Sequence, residues 1–234
     1  MSLLTKRFIR VFTWKPWKRS LTESTVAAEK YLVSRRADGE LSPVECIGLF
    51  GGSFNPVHLG HLLVAQAAIE ELRLSRLYFI PAAQSPFKPG VELAPGLERL
   101  RMLRLALAGQ TACEIDAQEL LRGGVSYSID TVRDYSRRFP QAPLFYLIGS
   151  DHVVQLPKWR AADELASLVE FVVIPRPGQT CLAPPPPFRG RALEGFPLAV
   201  SSSQIRVRVR AGLPINLLVT PAVAEAIRNN QLYL

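Results

Sequence analysis

From Glu45 onward the apolar positions follow two alternating rhythms. Short unbroken apolar runs (VECIGLF, RLYFIPA, PLFYLIG and VEFVVI) end at glycine or proline and predict buried strands. Between them, HLGHLLVAQAAIEEL, LERLRMLRLALAG, SIDTVRDYSRRF and RAADELASL carry apolar residues at helical spacing. Gly109 is placed to stop the second of these helices. CEIDAQEL reads as a strand with a polar edge, and FPLAV, 196–200, as a last short strand. Residues 178–196 hold the tetraproline 184–187 and predict an extended surface loop, because proline fixes φ and removes a donor. Strands alternating with helices predict an α/β fold: a doubly wound, Rossmann-like parallel sheet covered on both faces. Ligands of such sheets sit beyond the carboxyl ends of the strands.

Residues 1–44 break this pattern. They mix Arg, Lys, Trp and Phe without a sustained period, and SRRADGELSP reads as a linker. The expected organisation is a basic N-terminal extension, 1–44, followed by one catalytic-sized domain, 45–234. The first twenty residues hold Lys6, Arg7, Arg10, Lys15, Lys18 and Arg19 and no acid. The segment reads as a solvated tail, an organellar-type leader or an over-long start, and the sequence leaves these open.

Composition narrows the class. The chain has 234 residues, 48% apolar and 21% charged, as in ordinary soluble proteins. Three cysteines far apart, without a CxxC, argue against disulfides or a zinc site and fit a reducing cytoplasm. No apolar run approaches the roughly 20 residues a membrane span needs. The net charge of +8 suits anionic ligands: nucleic acid, anionic lipid or phosphorylated small molecules.

The chemistry-bearing residues fall at strand ends. Gly51, Gly52, Ser53 and Phe54 follow the first strand, and a helix opens near His58. Glycines there let backbone approach a ligand, and helix-start amides favour anions. His58 and His61, three apart, share a helix face and can meet a phosphate together. In VSSSQIRVRVR, Ser201–Ser203 can cap a helix, and Arg206 one turn on can reach the same anion. The Ile/Arg/Val alternation there has strand period, whereas the serine cap and Gly212 favour a helix. Asp151 follows a strand and a glycine, a usual place for a ribose-binding carboxylate. Trp159 offers a flat face for an aromatic ring, while no motif uses His152.

GGSFNPVHLGH together with SSSQIR resembles the HxGH nucleotidyltransferases. SPFKP, GVSYSIDTV, LIGSDHVVQLPKW, VVIPRPG and AIRNNQLY extend the resemblance to bacterial nicotinate-nucleotide adenylyltransferases, from about Cys46 to the C-terminus. The resemblance implies transfer of the adenylyl group of ATP to nicotinate mononucleotide, with release of pyrophosphate. It implies that His58 and His61 contact ATP phosphates, with His61 the main stabiliser of the α-phosphate. Ser202, Ser203 and Arg206 would hold the β and γ phosphates, assisted by Lys88, and Asp151 the ribose. Gly51, Gly52, Ser53 and Phe54 would line the nucleotide cleft, and Ser128 and Trp159 would hold the nicotinate ring. Mg2+ would arrive with ATP rather than in a dedicated protein site. Phe87 stands where many relatives have His, Ser128 where Thr is frequent and Asn55 where Asp is frequent.

This chemistry fits the residue types. A phosphate acceptor is already a nucleophile, so the site needs alignment and charge cancellation rather than a general base. The competing readings are a related enzyme acting on nicotinamide mononucleotide or another phosphorylated acceptor, and a non-catalytic nucleotide-binding protein. SYSIDT plus LPKW speaks against phosphopantetheine and CTP enzymes, and nucleic acid is not the expected partner.

Overall fold

The computed structural model describes residues 34–35, 41–42, 45–87, 90, 92–176, 182–195 and 198–234. Short strands β1 (Ser34–Arg35) and β2 (Leu41–Ser42) pair antiparallel within the segment read as a linker. The main sheet comprises β3 (Ile47–Gly52), β4 (Arg76–Pro81), β5 (Cys113–Ile115), β6 (Leu144–Gly149), β7 (Glu170–Ile174) and β8 (Gly190–Ala192). Its order is β5-β4-β3-β6-β7-β8, and every pairing is parallel. Renumbered from β3, that is 3-2-1-4-5-6, the doubly wound order. The strand order therefore reverses between β3 and β6, which opens a crevice at their carboxyl ends.

Successive residues of each central strand enter different cores, as strand period 2 requires. Phe50, Leu77, Phe79, Phe145, Leu147 and Val172 join one apolar cluster. Ile47, Leu49, Tyr78, Ile80, Tyr146, Ile148, Phe171 and Val173 join the other. The first face is covered by α1 (Leu59–Leu72), α2 (Gly96–Ala106), α6 (Ser202–Arg210) and α7 (Pro221–Asn229), through Ala65, Met102, Ile205 and Val223 among others. The second is covered by α4 (Ser128–Arg138), a 3₁₀ segment (Ser150–Lys158) and α5 (Ala162–Leu168), through Ile129, Val153 and Leu165. Each large apolar side chain fully buried this way contributes roughly 1.5–3 kcal/mol.

Three expectations change. CEIDAQEL is a strand only over Cys113–Ile115; Gln118–Arg122 is a short helix, α3. The Asp116 carboxylate accepts from the Gln118 backbone N–H at 2.9 Å, which turns the chain out of the strand. The last strand is not FPLAV, since 198–200 are irregular and 196–197 lie outside the described residues. The sheet edge is instead β8, inside the stretch expected to be a surface loop. Gly190 makes this pairing possible. A Cβ there would sit 2.5 Å from the Phe171 carbonyl oxygen, so only glycine lets the backbones approach.

Candidate active site

At the carboxyl end of β3, the chain turns through Ser53–Val57 into α1. His58 is the N-cap residue, with extended backbone, and is 8% exposed. Its N–H donates to Nδ1 of His61 at 3.2 Å, and the two rings stack at 3.7 Å, 27° apart. The His61 ring also packs edge-on against Phe54, which is buried beneath the turn. Gly60 has a steric reason: a Cβ there would press to 3.1 Å on Cε1 and Nδ1 of His58. The glycine of HxGH lets the first imidazole lie flat over the helix start. Burial pulls the pKa of His58 from 6.5 down to about 4, so this ring is neutral at physiological pH. Because His61 Nδ1 accepts, its neutral tautomer carries the proton on Nε2 and is a donor there.

The opposite wall is the start of α6. Ser201 Oγ accepts from the Gln204 N–H at 3.2 Å, and Gln204 Oε1 accepts from the Ser201 N–H at 3.0 Å. That reciprocal cap settles the helix-or-strand ambiguity of this segment. Two bonds then reach back across the chain. The Ser202 hydroxyl donates to the Pro56 carbonyl at 2.9 Å, 146 residues away. Arg206 Nη1 donates to the Asn55 carbonyl at 2.8 Å, 151 residues away, while Nη2 donates to Ser203 Oγ at 3.3 Å. The two predicted phosphate clusters are thus fastened directly to each other. The Ser202 hydroxyl proton is spent on Pro56, which leaves the N-terminal amides of α6 for an anion.

These segments line one cleft of about 890 Å³ that also takes in Ser128, Asp151 and Trp159. Asp151 opens the 3₁₀ segment after β6 and holds Arg176 Nη2, 3.1 Å from both carboxylate oxygens. At the far end, the Tyr146 hydroxyl donates to Ser128 Oγ at 2.8 Å, and burial pushes its pKa up. Glu119, 4% exposed, accepts from Thr131 Oγ1 at 2.6 Å, and its pKa is raised by burial. The Trp159 ring stands edge-on to Tyr146. Phe87 lies over it at 5.4 Å and 35°, and His152 adjoins both rings. Lys88 lies outside the described residues. Among the described residues, no three or more His, Cys, Asp or Glu side chains are grouped to hold a metal ion. None of the described helices is long and apolar enough to cross a membrane.

The chain is similar to known proteins over most of its length. The Cytidylyltransferase-like family matches residues 49–208. The chain is 42% identical over 187 residues to a protein of Shouchella clausii named "Probable nicotinate-nucleotide adenylyltransferase", covering 80% of this chain and 96% of that one. A protein of Opitutus terrae with the same name is 41% identical over 189 residues, covering 80% and 97%. The chain belongs to the nicotinate-nucleotide adenylyltransferase family. Its fold is similar to that of Plasmodium falciparum nicotinic acid mononucleotide adenylyltransferase complexed with NaAD, with a TM-score of 0.64 and 17% identity over 81% of this chain and 97% of that one.

Several residues that shape this adenylyltransferase-family cleft escaped the sequence reading. Arg176 follows β7 within VVIPRPG, and an arginine just past a strand's carboxyl end was the available signal. Tyr146 sits inside the apolar run PLFYLIG, where nothing marks its hydroxyl as facing Ser128. Asn55 was marked only as standing where Asp is frequent; it holds the next loop, accepting from the Ala94 N–H at 3.0 Å and donating to the Glu92 carbonyl at 3.4 Å. Arg99 looks like one more cation of a basic helix, yet it is 2% exposed.

Proposed function

We infer that this chain transfers the adenylyl group of ATP to nicotinate mononucleotide, forming deamido-NAD and pyrophosphate. The observation that carries the reading is the joining of the HxGH turn to the Ser201–Arg206 helix start at the sheet's switch point. Two cationic or amide-rich walls there face one crevice, beside an aromatic pocket suited to a pyridine ring. The names of the relatives given above support the same acceptor.

On this reading the acceptor phosphate attacks the α-phosphorus in line, displacing pyrophosphate, and needs no protein base. The protein's task is to bring two anions together and to stabilise charge that grows on the α-phosphate oxygens. His61 donates through Nε2 to that phosphate. The neutral, buried His58 touches the same phosphate edge and, through its N–H, holds the His61 tautomer. Ser202, Ser203 and Arg206 bind the β and γ phosphates through helix-start amides and guanidinium donors, and Lys88 assists. Gly51, Gly52, Ser53 and Phe54 line the nucleotide path. Asp151 binds the ribose, exchanging its contact with Arg176 for the hydroxyl pair. Ser128 and Trp159 hold the nicotinate ring. Donors facing the phosphates are neutral or cationic, so Mg2+ fits as a companion of ATP, where it neutralises phosphate charge.

We also propose that residues 45–234 form the catalytic unit and 1–44 a basic extension, on the change of pattern at Glu45. Three widely spaced cysteines without a CxxC support the cytoplasm as its compartment. Purified protein supplied with ATP, Mg2+ and nicotinate mononucleotide should release deamido-NAD and pyrophosphate in equal amounts. A parallel reaction with nicotinamide mononucleotide should be slower. Folded protein that makes no product from either acceptor refutes the reading, and faster turnover with the amide reassigns the substrate.

A further inference from the structure

Arg99, in the first turn of α2, is 2% exposed, and its guanidinium forms no ion pair among the described residues. Among the described residues its hydrogen bonds go to backbone carbonyls, and the Tyr233 hydroxyl lies near enough to interact with its charge. Nη1 donates to the Ser53 carbonyl at 2.8 Å and to the Ala82 carbonyl at 2.7 Å, and Nε donates to the Ala94 carbonyl at 3.1 Å. Burying an arginine this way is expensive, and desolvation lowers its pKa. A helix that needed only packing would carry Leu or Met here.

The three carbonyls belong to different parts of the cleft. Ser53 lies in the turn after β3, between the glycines and the HxGH histidines. Ala82 is the first residue after β4 and begins the segment that reaches Phe87 over Trp159. This second turn is fastened further by Ser126 Oγ, which accepts from the Ala83 N–H at 2.9 Å. A single guanidinium nitrogen therefore ties the nucleotide side of the cleft to its acceptor side. Ala94 and Asn55 add the loop before α2 to the same assembly.

We propose that Arg99 is a positioning residue for adenylyl transfer: by clamping the Ser53 and Ala82 carbonyls it sets the separation between the two bound substrates. The proposal rests on the functional reading above. In-line attack is sensitive to that separation, whereas each substrate bound alone touches only one side of the clamp. Loss of the clamp should therefore appear in kcat more than in either binary affinity. Its unneutralised charge also lies beneath the phosphate turn and adds to the potential that attracts anions.

The test uses the full chain and the variants Arg99→Met and Arg99→Lys. Thermal unfolding reports folding, steady-state kinetics give kcat and both KM values, and calorimetry gives binary affinities for nicotinate mononucleotide and a non-hydrolysable ATP analogue. Folded Arg99→Met should lose about 100-fold in kcat, the scale of a misplacement near 1 Å. Its binary affinities should stay within about threefold of wild type, since alignment acts in the transition state. Arg99→Lys keeps the charge but only a single donor nitrogen and should recover part of the loss. Should Arg99→Met fail to fold, Arg99→Lys decides alone, with kcat reduced and binary affinities kept. Wild-type kcat in a folded variant overturns the proposal. So does a drop in both binary affinities as large as the drop in kcat, which would mark a collapsed site. A wild-type enzyme that makes no deamido-NAD instead overturns the functional reading, because the Arg99 comparison presupposes a wild type that turns over.

Discussion

Acidification from about pH 7.5 to about pH 5 should cost the wild-type chain stability that a His58→Asn variant keeps. The cause is the place of the ring, capping α1 under His61 with 8% exposure. Burial disfavours the imidazolium and holds its folded pKa at about 4, against 6.5 for an exposed histidine. The unfolded chain takes up a proton near 6.5, whereas the folded chain declines it until about 4. Between those values the unfolded state binds more protons, so stability falls as pH drops through that window and levels off below it. The binding polynomials give a loss of about 2 kcal/mol at pH 5 and a limit of about 3 kcal/mol below pH 4. Asparagine is a good N-cap and does not titrate, so the variant removes the proton linkage while supporting the helix start. Other shifted groups, such as Asp116 (lowered) and Glu119 (raised), are present in both proteins and cancel in the difference. Urea unfolding of both proteins at the two pH values measures the effect. Parallel pH profiles for the two would refute a neutral, buried His58.

Two further predictions address the cleft. His61→Ala should lower kcat about 10²–10³-fold, as removal of a preorganised donor does, with a melting temperature near wild type; near-normal turnover in folded protein would remove its role. Gly51→Ala would place a Cβ 2.9 Å from the Tyr146 hydroxyl, which is pinned to Ser128. It should destabilise the chain by about 1–3 kcal/mol and raise the acceptor KM more than the ATP KM, and an unaltered acceptor KM would separate Tyr146 from the acceptor pocket.

The central strands were readable because a strand buried on both faces must be apolar at every position. Apart from Arg76 and Glu170, which begin their strands, β3, β4, β6 and β7 carry no charged residue, and their alternating side chains serve two cores. β8 was not readable for the same reason: at the sheet edge, GRA earns its place by a missing Cβ rather than by apolar burial. In α6 the alternation of Ile205, Val207 and Val209 with arginines mimicked a strand. Only Ile205 of these is fully buried, while Val207 is 61% exposed. The alternation therefore says little about burial, and the Ser201–Gln204 cap carries the true signal. The site was legible where residue types announce phosphate chemistry, as in the HxGH turn and the serine cap. The Asp151–Arg176 pair and the Phe87 cover of Trp159 depend on contacts between distant segments, which no local spacing reports.

The arginines of this chain divide by the partner that holds them. Arg133 pairs with Glu164, Arg138 with Asp116, Arg191 with Glu170 and Arg176 with Asp151, so each is neutralised where it stands. Beside the HxGH turn two arginines have neutral partners instead, as Arg208 also does at the Pro214 carbonyl. Arg206 is oriented by the Asn55 carbonyl and Ser203, and Arg99 by three carbonyls. Neutral acceptors fix a guanidinium's direction without cancelling its charge, which is what the proposed phosphate-binding role requires. A carboxylate in the same place would orient equally well and would repel the ligand. Carbonyls are present at every residue, so a search for acid–base pairs along the sequence passes over this arrangement. Two carboxylates do line the cleft, Asp151 paired with Arg176 and Glu119 held by Thr131, so the positive charge left uncancelled there is that of Arg206, whose partners are dipoles.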